Sequence, residues 1–174
     1  MTEATPARAT LIIRLKRKAD GSASLTCERP DGSVTWERQD GERGGFLPVH
    51  DLTHFAVETV LNYRHGFFGL LAQGWNLEDF GQPWPRGRLP AEAVLSEFTV
   101  GFFDQERAGG VEWSAEDFNT AAATYFAGKG ERPPPLTDED LTRIRAARLE
   151  LFARWRAVPP GDTLELHFPP QPAG

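Results

Sequence analysis

The chain has few of the features that mark a secreted or membrane-spanning protein. Its 174 residues include a single cysteine, Cys27, which cannot form a disulfide within the chain, so the sequence gives no sign of an oxidising compartment. No apolar run approaches the roughly 20 residues that a membrane-spanning helix needs. The first residues also lack the apolar segment of a secretory signal. We therefore expect a cytoplasmic protein that does not cross a membrane.

An excess of positive charge is also absent. The net charge is −6 at pH 7, whereas a nucleic-acid binder needs a basic face to neutralise phosphates, so we expect no nucleic-acid partner. The sequence contains no G-x-S-x-G elbow, no P-loop and no dinucleotide-binding glycine motif. It therefore gives no indication of the nucleophilic serine, phosphate-binding or dinucleotide-binding sites that these motifs form. Apolar residues make up 40% of the chain and include five tryptophans, enough for a folded core.

Period-two alternation of apolar and polar residues predicts strands near both ends of the chain. Residues 10–38 contain three such segments separated by turn sequences, which indicates an antiparallel meander. Residues 164–168 alternate in the same way, and a lone strand cannot satisfy its backbone groups, so we expect it to join the meander. We expect Leu11, Ile13 and Trp36 on the covered face of this sheet.

Helical periodicity and end signals occupy the middle of the chain. The pattern predicts a loop over 39–46, a helix over 49–63, a break near Gly66 followed by a short helix, and three later helices that start near positions 90, 114 and 137. The predicted fold class is α+β, with a small antiparallel sheet (a three-stranded N-terminal meander plus a C-terminal strand) packed against four to five helices. Residues 9–168 would form one domain between a flexible arm (1–8) and a Pro-rich tail (169–174).

The string His50-Asp51-Leu52-Thr53-His54 is the strongest indication of chemistry. Residues four apart lie on one face of a helix, so His50 and His54 could share a metal ion. Nitrogen ligands favour zinc, although another divalent metal would also fit. Asp51 or Glu58 would then act as general base on a bound water, as in a metal-dependent hydrolase. The remaining ligand would come from elsewhere, with His167 and the acids at 78 and 79 as candidates, while His65 lies too far along the helix.

The same five residues resemble the H-E-x-x-H motif of the zincin metalloproteases, in which two histidines bind zinc and the glutamate is the general base. Asp51 stands in the position of that glutamate and is one methylene shorter. The resemblance therefore implies metal binding by His50 and His54 and does not extend to proteolysis.

Two simpler interpretations account for the same residues: a polar helix face or a buried polar network. His54 and Glu58 form a favourable pair at i,i+4, and a polar helix face needs no metal. Residues 74–90 form an aromatic loop that could line a pocket or an interface. The alternative to an enzyme is thus a non-catalytic module that binds a protein partner, or a second copy of the chain in a homodimer.

Overall fold

The computed structural model describes residues 11–169. The elements follow the order β1 (Leu11–Arg17), β2 (Ala23–Glu28), β3 (Val34–Gln39), α1 (Arg43–Val60), α2 (Phe67–Ala72), a 3₁₀ helix (Leu77–Phe80), α3 (Ala91–Gly109), α4 (Ala115–Ala127), α5 (Asp138–Ala157) and β4 (Thr163–Phe168). The predicted arm (1–8) and nearly all of the predicted tail (169–174) lie outside the described residues. One domain over 9–168 stays a prediction.

The four strands form one antiparallel sheet in the order β3-β2-β1-β4. β1 pairs with β2 in the N-terminal meander, and its other edge pairs with β4, where Ile13 faces Leu166. The alternating apolar residues of β1, β2 and β4 are buried against the helices. The α+β fold and the return of the last strand to the meander are therefore confirmed.

The helices cover one face of the sheet and extend the core beyond it. One apolar cluster joins the sheet to α1, α2 and α5, and a second joins α1 to α3, α4 and α5. α1 contributes to both clusters, and it also contacts β3. This helix therefore lies at the centre of the molecule, where its polar residues are buried. Between residues 11 and 169, no helix is both long and apolar enough to cross a membrane.

The start of the central helix was predicted wrongly. α1 begins at Arg43, so the second half of the segment predicted as a loop, residues 43–46, is helical. Gly44 lies so close to the sheet that an added Cβ would be 2.7 Å from the carbonyl oxygen of Gln39. This close packing supports a helical turn that local propensity disfavours. Asp51 consequently lies in the middle of α1 and not at its positive N-terminal end.

The buried side of β3 is polar. Thr35 and Gln39 are buried and Glu37 is half-buried, whereas Trp36 is 62% exposed. The expectation that Trp36 lies on the covered face was wrong because its neighbours occupy that face. An edge strand with inward polar groups leaves hydrogen-bonding atoms facing α1, and these atoms form part of the site.

Candidate functional site

Glu58 is the most completely bonded side chain of α1. Its carboxylate accepts backbone N–H groups from the first turn of α2, at 2.7 Å from Phe67, 3.0 Å from Phe68 and 3.3 Å from Gly69. The hydroxyl of Ser96 donates to it at 3.1 Å. A carboxylate satisfies the free N–H groups of a helix start and favours its positive dipole. Glu58 therefore fixes α2 against α1 and is itself held in place.

His54 lies between two carboxylates. Its Nδ1 is 3.2 Å from Oε1 of Glu58, and its Nε2 is 2.9 Å from Oε2 of Glu97 on α3. The ring is only 2% exposed. Burial by itself would lower the pKa of His54, but the hydrogen bonds to Glu58 and Glu97 outweigh burial and raise that pKa to about 10. In the absence of a metal ion His54 is thus an imidazolium that donates from both nitrogens.

His50 is oriented in the same manner one turn earlier. Its Nδ1 donates to Oδ2 of Asp104 on α3 at 2.7 Å, and its Nε2 lies 3.8 Å from Oε1 of Glu97. The rings of His50 and His54 meet edge to face, with centroids 4.9 Å apart. Each imidazole therefore binds a carboxylate through Nδ1 and directs Nε2 towards the same third carboxylate.

His50, His54 and Glu97 form a group whose ligand atoms all lie within 4.8 Å of one another. Tetrahedral zinc with ordinary bond lengths separates neighbouring ligand atoms by about 3.4 Å. The closest two ligand atoms, Nε2 of His54 and Oε2 of Glu97, are 2.9 Å apart and would have to separate by a few tenths of an ångström. The Glu97 side chain is 62% exposed and can move. Two imidazoles and a carboxylate are a chemically suitable ligand set for a divalent ion.

A cavity of about 430 Å³ lies in front of this group, within the range of small-molecule sites. His50, His54 and Glu97 line it, and so does Asp51. Most of the remaining wall is apolar, formed mainly by Leu47, Phe67, Leu77, Phe80, Trp84 and Leu89. The polar side chains of Glu37, Arg43 and Gln82 also line it. The predicted aromatic loop therefore contributes a wall of the cavity.

Asp51 is buried in that wall, where its Oδ2 accepts from Nε2 of Gln39 at 2.7 Å. Burial raises the pKa of Asp51 to about 6, against the opposing effects of the Gln39 hydrogen bond and the nearby histidines. The Oε1 atom of Gln39 is buried and has no hydrogen-bond partner among the described residues. Asp51 is consequently a carboxylate that takes up a proton close to neutral pH.

The structure brings together only some of the residues that the sequence singled out. His50, His54 and Asp51 share the cavity, whereas Glu58 lies behind His54 and is not part of the cavity wall. His65 lies beyond the end of α1, close to Glu92. A break before α2 is confirmed, because α1 ends at Val60.

The candidate third ligands do not join the two imidazoles among the described residues. His167 lies 3.0 Å from Glu165 on the outer face of β4. Asp79 accepts the backbone N–H of Asn76 and pairs with Arg86, and Glu78 is exposed. Glu78 and Asp79 therefore lie in a local turn, and His167 lies on the far side of the sheet. The carboxylate that approaches Nε2 of both imidazoles is Glu97, which no sequence motif marks.

Sequence reasoning also missed Asp104 and Gln39. Glu97 and Asp104 are seven residues apart, two turns of helix, and so lie on one face of α3. That spacing was a usable signal, although the sequence does not show which helix this face meets. Gln39 could have been found by continuing the alternation of β3 to its last residue.

Comparison of the chain with protein-family models, with curated proteins and with solved structures finds no match. The function proposed below is therefore inferred from the geometry of the site.

Proposed function

We propose that the protein binds a divalent metal ion, most favourably zinc, through His50, His54 and Glu97, and that it is a metal-dependent hydrolase. The observation that carries this proposal is the orientation of the two imidazoles. Both bind a carboxylate through Nδ1 and present Nε2 to the same cavity. Histidines that ligate metals are usually held in this manner by a carboxylate or carbonyl on the other nitrogen.

The proposed ligands leave at least one coordination position for water. Catalytic zinc sites commonly have three protein ligands, and a bound ion lowers the pKa of its water to about 7. The ion would replace the proton on Nε2 of His54, so its affinity should fall as the pH is lowered. The exposed Glu97 supplies the negative charge that completes the ligand set.

Asp51 is the proposed general base, because it lines the same cavity and its pKa of about 6 lies close to neutrality. Glu58, the other base suggested by the sequence, has a different proposed role. Its oxygens are engaged by α2, Ser96 and His54, so it positions His54 and does not touch a substrate. The cytoplasmic location stays a prediction.

Metal content tests the first half of the proposal. We expect untagged protein to bind one equivalent of zinc in elemental analysis after incubation and desalting. His54→Ala should abolish this stoichiometry and Asp51→Asn should retain it. Glu97→Ala should also lose the bound zinc, and it is the decisive variant because this exposed side chain can be truncated without opening the core. Glu150→Ala, an exposed acid on α5, is the matched control and should bind zinc normally.

Hydrolysis tests the second half. The zinc-loaded protein should cleave a simple activated ester such as 4-nitrophenyl acetate, and chelation should remove this activity. Asp51→Asn should retain zinc but lose at least about 100-fold in rate, the lower end of what a general base contributes. Wild-type protein that stays metal-free after incubation with zinc would refute the metal site. An Asp51→Asn variant with full activity would refute the general base.

A homodimer is the second candidate, and it would be consistent with a non-catalytic role. Val34 and Trp36 are both exposed on the outer face of β3, an edge strand. Exposed apolar residues at a sheet edge are typical of pairing surfaces. Light scattering of the wild type and of Trp36→Ser at several concentrations tests this candidate. A monomer under all conditions would reject it.

A further inference from the structure

A second cavity adjoins the proposed metal centre. It has a volume of about 790 Å³ and runs between α3 and α4. Glu97 belongs to the walls of both cavities, and so do Gln82, Trp84 and Leu89. The proposed metal ligand therefore lies where the two cavities meet. We call the second cavity the α3–α4 groove.

The α3–α4 groove is mainly apolar. Its walls include Val94, Phe98, Gly101, Phe102, Ala121 and Tyr125. Phe98 forms the floor, where its ring packs against those of Phe118, Tyr125 and Phe126. Gly101 lies in the middle of α3, and an added Cβ there would meet nothing within 4 Å. The groove thus has open space beside a helix that an apolar ligand could fill.

Charge is distributed unequally between the two cavities. The cavity at the metal centre holds most of the ionisable groups: Arg43, His50 and His54 line it together with the carboxylates of Glu37, Asp51 and Glu97. In the groove, Lys129 lies 5.0 Å from the ring centroid of Tyr125, and Glu97 lies at the junction. A ligand that matches this arrangement has a polar acyl head at the metal centre and an apolar tail in the groove.

We propose that the substrate is a fatty acyl compound whose carboxyl carbon lies at the metal centre and whose chain occupies the α3–α4 groove. The position of the head rests on the proposed function, whereas the position of the tail rests on the groove alone. The mainly apolar walls favour a hydrocarbon chain, since a polar tail packed against Val94, Phe98 and Phe102 would lose its hydration without compensation. The groove determines which chain lengths bind well.

A series of saturated carboxylates tests this proposal. Hexanoate, octanoate, decanoate and dodecanoate are titrated calorimetrically into protein of measured zinc content, below their micelle-forming concentrations. We expect the affinity to rise about two- to fourfold with each added methylene, as burial of a hydrocarbon chain predicts. Gly101→Leu fills the groove and should weaken dodecanoate binding at least tenfold while leaving hexanoate nearly unchanged.

The matched control is Gly109→Leu, the same substitution at the last residue of α3, where it lines neither cavity. This control should follow the wild type at every chain length. If Gly101→Leu does not fold, Ala121→Leu provides the same obstruction from the exposed side of α4. An affinity that is independent of chain length overturns the proposal, and so does equal binding by the obstructed and control variants.

Zinc content separates this proposal from the proposed function. A chain-length dependence that Gly101→Leu removes, in protein that binds no zinc, supports the acyl groove and rejects the metal centre. Zinc-loaded protein without any chain-length dependence supports the metal centre and rejects the acyl groove.

Discussion

Replacement of Gly66 by alanine should destabilise the protein, although Gly66 has an ordinary backbone conformation. Its φ of −75° is accessible to any residue, so backbone strain is not the reason. An alanine Cβ at this position would lie 2.5–2.8 Å from the carboxyl atoms of Glu58. Non-bonded contacts of a Cβ essentially never fall below 3.0 Å, so the Glu58 carboxylate would have to move.

The bonds of Glu58 set the size of the effect. Its carboxylate accepts three backbone N–H groups of α2, the Ser96 hydroxyl and an N–H of His54. A displacement of nearly 1 Å would break or weaken at least two of these bonds. A hydrogen bond to a charged group contributes about 1.5–3 kcal/mol. Allowing for partial relaxation, we expect Gly66→Ala to lower the free energy of unfolding by about 2–4 kcal/mol.

Thermal and urea unfolding, followed by circular dichroism, measure this loss. For a chain of this length 1 kcal/mol corresponds to about 2–4 °C in Tm. The matched control is Gly101→Ala, a helix-interior glycine with open space around its Cβ, which should stabilise the protein by about 1 kcal/mol. If Gly66→Ala also stabilises the protein, Glu58 does not lie as close to Gly66 as described, and Glu58 does not hold α2 in place.

Two further predictions concern a buried charge and the sheet. The folded-state pKa of Asp51 lies above its ordinary value of 3.8, at about 6, so the charged form of Asp51 opposes folding. This loss of stability is absent below about pH 4 and grows as the pH rises. It is complete above about pH 6, where it reaches about 3 kcal/mol. In chelator-treated protein, Asp51→Asn should therefore raise the free energy of unfolding at pH 8 and raise it much less near pH 4. The amide of Gln39 would turn so that its unpartnered oxygen accepts from the new amide at position 51. Equal stability of the variant and the wild type at pH 8 contradicts this prediction. Removal of residues 162–174 should abolish the cooperative thermal transition, because Leu11 and Ile13 of β1 would lose the strand that pairs with them. A truncated protein with an unchanged Tm would show that β4 is dispensable.

The sheet could be predicted from the sequence because its signals are local. Alternation in β1, β2 and β4 reports which side of each strand is buried, and turn residues mark where the chain reverses. The capping boxes at Ser114 and Thr137 likewise mark the starts of α4 and α5. β3 was the exception, because its covered face is polar: Gln39 donates to Asp51 of α1, and Thr35 accepts the backbone N–H of Leu77.

The candidate site was only partly predictable. The i,i+4 spacing of His50 and His54 is a property of one helix, so the pairing of the two imidazoles and the break before α2 could be read from the chain. Glu97 is 43 residues away from His54. Its approach depends on how α1 packs against α3, and no local pattern encodes that packing.

The sequence by itself therefore determined the elements, the α+β class and the two imidazoles on a common face, since each depends on residues a few positions apart. Only the tertiary structure decided that Glu97 joins the two imidazoles, that Asp104 orients His50 and that Asp51 is buried against Gln39. These contacts join side chains from separate helices and strands, and their distances are set by the packing of the whole core around α1.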